Sequence, residues 1–329
     1  MNHGQFLRLL YLLCFFCLFA ACKKNHVNKH TPTIYIAGVN GDTAIFWKNG
    51  MVQRLSSSFG GAANQIRVAN GAVYISGQDV NSGRDAAIYW KDGAPNFLPV
   101  PVGTISSTTR SLFVSGSDVY VAGWTITYNT LYATYWKNGN PTVVDSTNSS
   151  VFKSIVVSGG GVYICGTSLF NKTNNIATWW KDDVRHVLTD ATSEARSMYV
   201  SGNDVYIAGM YISGPIGIPA LWKNGELINL STNDGVAYSV TMSGSNVYVA
   251  GYETVNGIIT ATLWKNGSPQ HLPGGAQSSL GSSVFVSGGD VYVAGFTVNN
   301  NVQRACYWKN GVLFYVGNNG SSAVSIVVQ

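Results

Sequence analysis

Ala133-Thr134-Tyr135-Trp136-Lys137-Asn138-Gly139 is the cleanest copy of a stretch that recurs around Trp47, Trp90, Trp180, Trp222, Trp264 and Trp308. Successive tryptophans lie 43, 46, 44, 42, 42 and 44 positions apart. A fixed period in that range marks a repeat architecture, in which one supersecondary unit is copied until neighbours bury each other's apolar faces. The closing Asn-Gly pair is a hairpin signal, because both residues accept the positive φ of a type I′ turn.

The third repeat shows what lies around that turn. Ser111 to Ser115 reads as a short apolar strand A, and Gly116-Ser117 as a tight turn. Asp118 to Gly123 is strand B, whose β-branched and aromatic residues suit a buried pleated surface. A variable loop from Trp124 to Leu131 leads to strand C, Tyr132 to Lys137, and after the Asn-Gly turn Pro141 to Asp145 is strand D. Four antiparallel strands in about 43 residues is the size of a propeller blade. No segment carries a 3.6-residue apolar rhythm of helical length, which excludes helical solenoids.

The ends of the repeat region bear on closure. Ile34 to Gly38 matches strand B with no strand A before it, and Ser325 to Gln329 matches strand A with no strand B after it. The expectation is an all-β, seven-bladed β-propeller of four-stranded antiparallel blades over 33–329, closed by the C-terminal strand joining the N-terminal blade. Closure would remove exposed sheet edges. The repeats resemble the Tyr-Val-Ala-Gly and Trp-Lys-Asn-Gly repeats of secreted bacterial proteins, not those of the kelch or WD-repeat families. That resemblance implies architecture and no activity.

Residues 1–21 read as a secretory leader: Arg8, then an unbroken apolar run from Leu9 to Ala21 that is too short to span a bilayer at about 20 residues. Cys22 follows Ala20-Ala21 directly, with Phe19 three residues before it. This ending resembles the lipobox of bacterial lipoproteins, which implies lipidation at Cys22 and a membrane-anchored protein of the cell envelope, periplasmic or surface-exposed. The alternative is ordinary cleavage that leaves Cys22 a free thiol. Residues 22–32 read as a polar tether. Cys165 and Cys306 occupy positions held by small residues in other repeats and read as core fillers that do not pair.

The net charge of +5 does not imply nucleic acid. Seven lysines, each following a repeated tryptophan, are spread evenly around the repeats, whereas a nucleic-acid footprint gathers cations on one face. The seven tryptophans and the strand-B tyrosines Tyr35, Tyr74, Tyr120, Tyr163, Tyr206, Tyr248 and Tyr292 occur once per repeat, which marks packing between blades. Asp118, Asp204, Asn246 and Asp290, before strand B, suit turns that bond their own backbone.

Function is expected where the repeats differ. The residues just before strand A are Asn64, Arg110, Lys153, Arg196, Tyr238, Ser282 and Val324. With strand A innermost they would encircle one mouth of a central channel. Arg110, Lys153 and Arg196 would then converge on an anion, or else lie solvated beside Glu194. Trp124, Tyr128, Tyr211 and Tyr252 are read as B–C loop aromatics that either contact a ligand or anchor the loops. The expected role is an envelope lipoprotein that binds a glycan, a peptide or an anionic ligand. The alternative is a carbohydrate-active enzyme using acids among Asp42, Asp79, Asp85, Asp190, Glu194, Asp234 and Glu253. No cofactor, metal cluster or nucleophile motif is expected, and His186 and His271 read as single histidines in outer strands.

Overall fold

The structure is a computed structural model and describes residues 31–55, 60–128, 130–145, 149–170 and 174–329. The leader at 1–21, Cys22 and the tether up to residue 30 lie outside the described residues.

Among the described residues there are strands and no helix. The chain opens with β1 (Ile34–Asn40), β2 (Thr43–Lys48) and β3 (Met51–Arg54). Next come β4 (Ala62–Ala69), β5 (Ala72–Asn81), β6 (Arg84–Lys91) and β7 (Ala94–Phe97), then β8 (Ser106–Ser115), β9 (Asp118–Ile126), β10 (Leu131–Lys137) and β11 (Asn140–Asp145). They are followed by β12 (Val151–Ser158), β13 (Gly161–Phe170), β14 (Asn174–Lys181) and β15 (Val184–Val187), and by β16 (Ser193–Ser201), β17 (Asp204–Ser213), β18 (Ile216–Lys223) and β19 (Glu226–Asn229). The last are β20 (Gly235–Ser243), β21 (Asn246–Val255), β22 (Ile258–Lys265), β23 (Ser268–His271), β24 (Ser278–Ser287), β25 (Asp290–Asn299), β26 (Val302–Lys309), β27 (Val312–Asn319) and β28 (Ser321–Val328).

From β4 to β19, each run of four strands forms a four-stranded antiparallel sheet. Strands β20 to β27 repeat the pattern twice, and one parallel bridge from Ile259 to Ser278 joins the two halves. The first sheet has the order β28-β1-β2-β3, with Val327 opposite Tyr35.

The sequence motif accounts for the interior. All seven repeated tryptophans are buried, at 2% exposure or less. Trp136 packs against Ala72, Tyr74 and Leu98 of the preceding repeat, and its indole N–H donates to the Pro99 carbonyl at 2.7 Å. The seven strand-B tyrosines are buried as well. Each lies under the lysine opposite it on strand C, with the ammonium 5.2–5.7 Å from the ring centre. The repeated lysines are therefore cation–π partners of repeated tyrosines.

The Asn-Gly turns form as expected, with Asn138 at φ 52 and Gly139 at φ 83. The side-chain oxygen of each turn Asn or Asp accepts from the first residues of the adjacent strand B at 2.8–2.9 Å. Asp118 differs from its expected role. Its carboxylate accepts from the Asn138 amide at 2.8 Å and pairs with Lys137 at 3.2 Å, so it ties two turns together. The Asn138 bond first, then Lys137, holds its carboxyl below the usual range. Asp204 and Asp290 repeat the arrangement.

The B–C connections also differ from expectation. Ser82-Gly83, Asn256-Gly257 and Asn300-Asn301 are two-residue turns with positive φ at both positions, not long loops. Strand B runs past its glycine, as β9 does to Ile126, and strand A starts earlier, as β8 does at Ser106.

Buried hydroxyls stitch neighbouring repeats together. Ser107, Ser193, Ser279 and Ser321 accept from the strand-C amides of Ala87, Ala177, Ala261 and Ala305 at 2.8–3.1 Å. Cys165 and Cys306 are buried, unpaired fillers, and burial pushes both thiols up.

Candidate functional site

Every first strand carries a β-bulge at the same place. In β8 the register slips between Thr109 and Ser111, which leaves Arg110 with no cross-strand partner. The same slip frees Asn64, Lys153, Arg196, Tyr238, Ser282 and Val324. A bulge kinks its strand and re-aims the extra side chain. Here it turns all seven residues into one cavity of about 100 Å³.

The cause lies across the strand, in the glycine of Tyr-Val-Ala-Gly. A Cβ on Gly123 would overlap the Thr108 carbonyl oxygen and sit 2.8 Å from the Thr109 Cα. Gly38, Gly77, Gly166, Gly209, Gly251 and Gly295 meet the equivalent carbonyls. Only a residue without a side chain lets the bulge close against strand B.

The residue after each bulge forms a second tier. Gln65, Ser111, Ser154, Ser197, Ser239, Ser283 and Ser325 each accept from a backbone N–H of the next first strand, at 2.6–3.3 Å. The series runs β4, β8, β12, β16, β20, β24, β28 and back to β4. Below this tier opens a cavity of about 660 Å³ lined by Val156, Met198, Val240 and Phe285, with Arg67 on its wall. Arg67 Nε donates to the Leu112 carbonyl at 3.0 Å, and its guanidinium lies 4.7 Å from the Phe113 ring centre. Burial lowers its pKa to about 10.

The expected cations do come together at the upper mouth. Arg110 and Lys153 lie 5.0 and 5.1 Å from the ring of Trp124. Arg196 lies 4.6 Å from the ring of Tyr238 and pairs with Glu194 at 2.6 Å. Asn64 accepts from Arg110 at 3.2 Å. Burial, with Arg196 adding to it, lowers the Arg110 pKa. Burial, then Arg110 and Arg196, lowers Lys153 to about 8, against the opposing pull of Glu194.

The four aromatics separate. Trp124 and Tyr252 follow equivalent glycines on β9 and β21 and are strand residues rather than loop residues. Tyr252 packs on Tyr238 with ring centres 6.2 Å apart. Tyr211 is one position further along β17, so it faces the other way and packs against the cluster that holds Cys165 and Ala177. Tyr128 alone is a loop residue, and it is 81% exposed.

His271 is not single. Its Nε2 meets Glu253 Oε1 at 2.7 Å, and Glu253 Oε2 accepts from Ser231. Glu253 is 3% exposed on β21, not on a loop. The carboxylate stands between the hydroxyl and the imidazole, so this trio lacks the Ser–His contact of a nucleophile with its base. Its signal in the sequence was the acid two places after Gly251, a place where other repeats carry Thr125, Ser168 or Thr297 and the second repeat carries another acid, Asp79.

No family model matches the chain, and no curated protein does. Solved structures do. The chain is similar to a puromycin-hydrolysing peptidase of Mycobacterium tuberculosis at 8% identity and TM-score 0.59, over 87% of this chain and 53% of that one. It is similar to the acylaminoacyl peptidase of Pyrococcus horikoshii at 12% identity and TM-score 0.53, over 87% and 50%. It is also similar to the β-propeller domain of the Trilobed protease from Pyrococcus furiosus at 11% identity and TM-score 0.54, over 87% and 92%. The chain thus spans about half the length of the two whole peptidases and nearly all of the isolated domain. This overturns the expected role as a glycan-binding module and its glycosidase alternative, because the matched folds come from peptidases. At these identities the likeness shows the fold: the chain is an all-β repeat of the propeller type, similar to propeller domains found in peptidases.

Proposed function

We propose that this chain is a peptidase-related propeller that takes peptide segments in an axial channel. The proposed architecture is seven four-stranded blades, closed where β28 completes the first. The pairing of Val327 with Tyr35 and the return of the inter-strand bonds from Ser325 to Ile66 support it.

The observation that carries the reading is the channel itself. The cavities of about 660 and 100 Å³ share Ser154, Ser197, Ser239, Ser283 and Ser325, so one passage narrows at the second tier. Each of these hydroxyls accepts from a backbone N–H, which leaves its own hydrogen free to donate to a peptide carbonyl. The apolar wall below suits peptide side chains. The proposal assigns this chain recognition of the peptide and no bond cleavage.

Titration of the protein with short unstructured peptides and with oligosaccharides tests it. Saturable binding of peptides, lost when Ser197 and Ser239 are both changed to valine, is expected. Binding of oligosaccharides alone would contradict it.

On residues Leu9 to Cys22 alone, we further propose that the leader is removed and Cys22 acylated, which anchors the protein to a membrane of the bacterial envelope. Mass spectrometry of the mature N-terminus should show an acylated Cys22, and an unmodified thiol there would count against it.

A further inference from the structure

We propose that the upper mouth binds the terminal carboxylate of a peptide, held by Arg110, Lys153 and Arg196 beside the rings of Trp124 and Tyr238. The inference rests on the peptide reading above and adds a direction to it.

The geometry concentrates charge. Three successive first strands, β8, β12 and β16, each place a cation on the bulge that faces the same small cavity. Among the described residues, the one carboxylate paired with these three cations is Glu194, and it is taken up by Arg196. Among the described residues Lys153 has no carboxylate within ion-pair distance; its contact is the Trp124 face. Arg110 has the Asn64 amide oxygen and the ring of the same Trp124. The Arg196 Nε is buried with no acceptor. Burial first, and the repulsion of neighbouring cations second, lower the pKa values of Arg110 and Lys153. An anion in the cavity would relieve both.

The shape favours a carboxylate. The space is about 100 Å³, enough for a small planar group. Guanidinium forks bind such a group through paired N–H bonds. The rings of Trp124 and Tyr238 hold the cations in place through cation–π contacts. The same field disfavours a free amino terminus, so a peptide in the channel would point its carboxyl end to this mouth.

Proton linkage gives a second readout. Arg110, Arg196 and Glu194 are the charged groups that face Lys153. Lys153 titrates at about 8 in the empty site, and an anion beside it raises that value. Above about pH 5, where the peptide carboxyl is ionised, affinity is therefore full below pH 8 and falls as pH rises through it, and binding near pH 8 takes up protons.

Calorimetry with N-acetyl-trialanine as the free acid and as the amide tests the proposal on the intact protein. The acid is expected to bind at least about tenfold more tightly than the amide, the scale of a charge-assisted bond. Arg110→Met with Lys153→Met should remove the preference, bringing the acid down to the level of the amide in the same variant. Lys153→Arg should keep acid binding and lose the pH dependence above 8, because arginine stays protonated there. Equal affinity for acid and amide would overturn the carboxylate site while the channel reading stands. Binding of neither form would overturn the channel reading as well. Inorganic phosphate displacing the acid more strongly than acetate does would overturn the assignment to a carboxylate.

Discussion

Trp136→Ala lowers the stability of the protein by about 3–5 kcal/mol, the range for removing a fully buried indole. Trp136 has no exposed surface and sits among Ala72, Tyr74, Ala87 and Leu98 of the repeat before it. The cavity left behind would lie between two sheets rather than within one, so neither sheet can collapse into it alone. The substitution also leaves the Pro99 carbonyl without its donor. Denaturant unfolding checks this, and a midpoint equal to that of the unaltered protein would contradict a packing role. Trp90 and Trp264 are equally buried but their indole N–H groups have no acceptor, so the packing part of the loss is expected there without the hydrogen-bond part.

Gly123→Ala is expected to cost upward of about 3 kcal/mol, at the high end for adding a single methyl group to a packed interior. The new Cβ would press on the backbone at Thr108 and Thr109, which cannot move aside as a flexible side chain can. The bulge that carries Arg110 would have to open. The variant should therefore lose both stability and the arrangement of the mouth. Gly139→Ala makes a useful comparison. Nothing lies near a Cβ there, but φ is +83, so the cost is strain alone, about 1 kcal/mol. Equal losses at the two glycines would show that the bulge is not sterically enforced.

The repeat, its strand order and the buried aromatics were legible because each rests on short-range chemistry repeated seven times. An Asn-Gly turn dictates its own φ angles, and a tryptophan at one place in every repeat has one natural home. The cations were legible by their shared place in the repeat, although they stand on a bulge inside the first strand, as Arg110 does in β8, and not just before it. The bulge that aims them was not. Asn64, Arg110, Tyr238 and Val324 share no chemistry, because a bulged residue makes no paired contact that would restrict it. Its trace lies elsewhere, in the glycine across the strand and in the serine that follows it.

Other misreadings have the same origin in non-local contacts. The repeated lysines look like dispersed surface charge until the Tyr120–Lys137 register places one over the other. Trp124 and Tyr252 look like loop residues because a glycine precedes them, whereas that glycine serves the bulge and the strand continues. His271 and Glu253 are 18 positions apart and meet through the β21–β22–β23 pairing. The glycosidase reading took Glu253 for a loop acid, but it is a buried strand residue already engaged by Ser231 and His271.

The mouth and the channel exist as described only if β28 takes its place beside β1. Hydrogen exchange of the intact protein reads this directly. Amides of Ser325 to Val328 are predicted to exchange as slowly as those of Leu112 to Ser115 in β8. Fast exchange of the last strand while β8 stays protected would contradict closure, and with it the proposed ring of bulges around one axis.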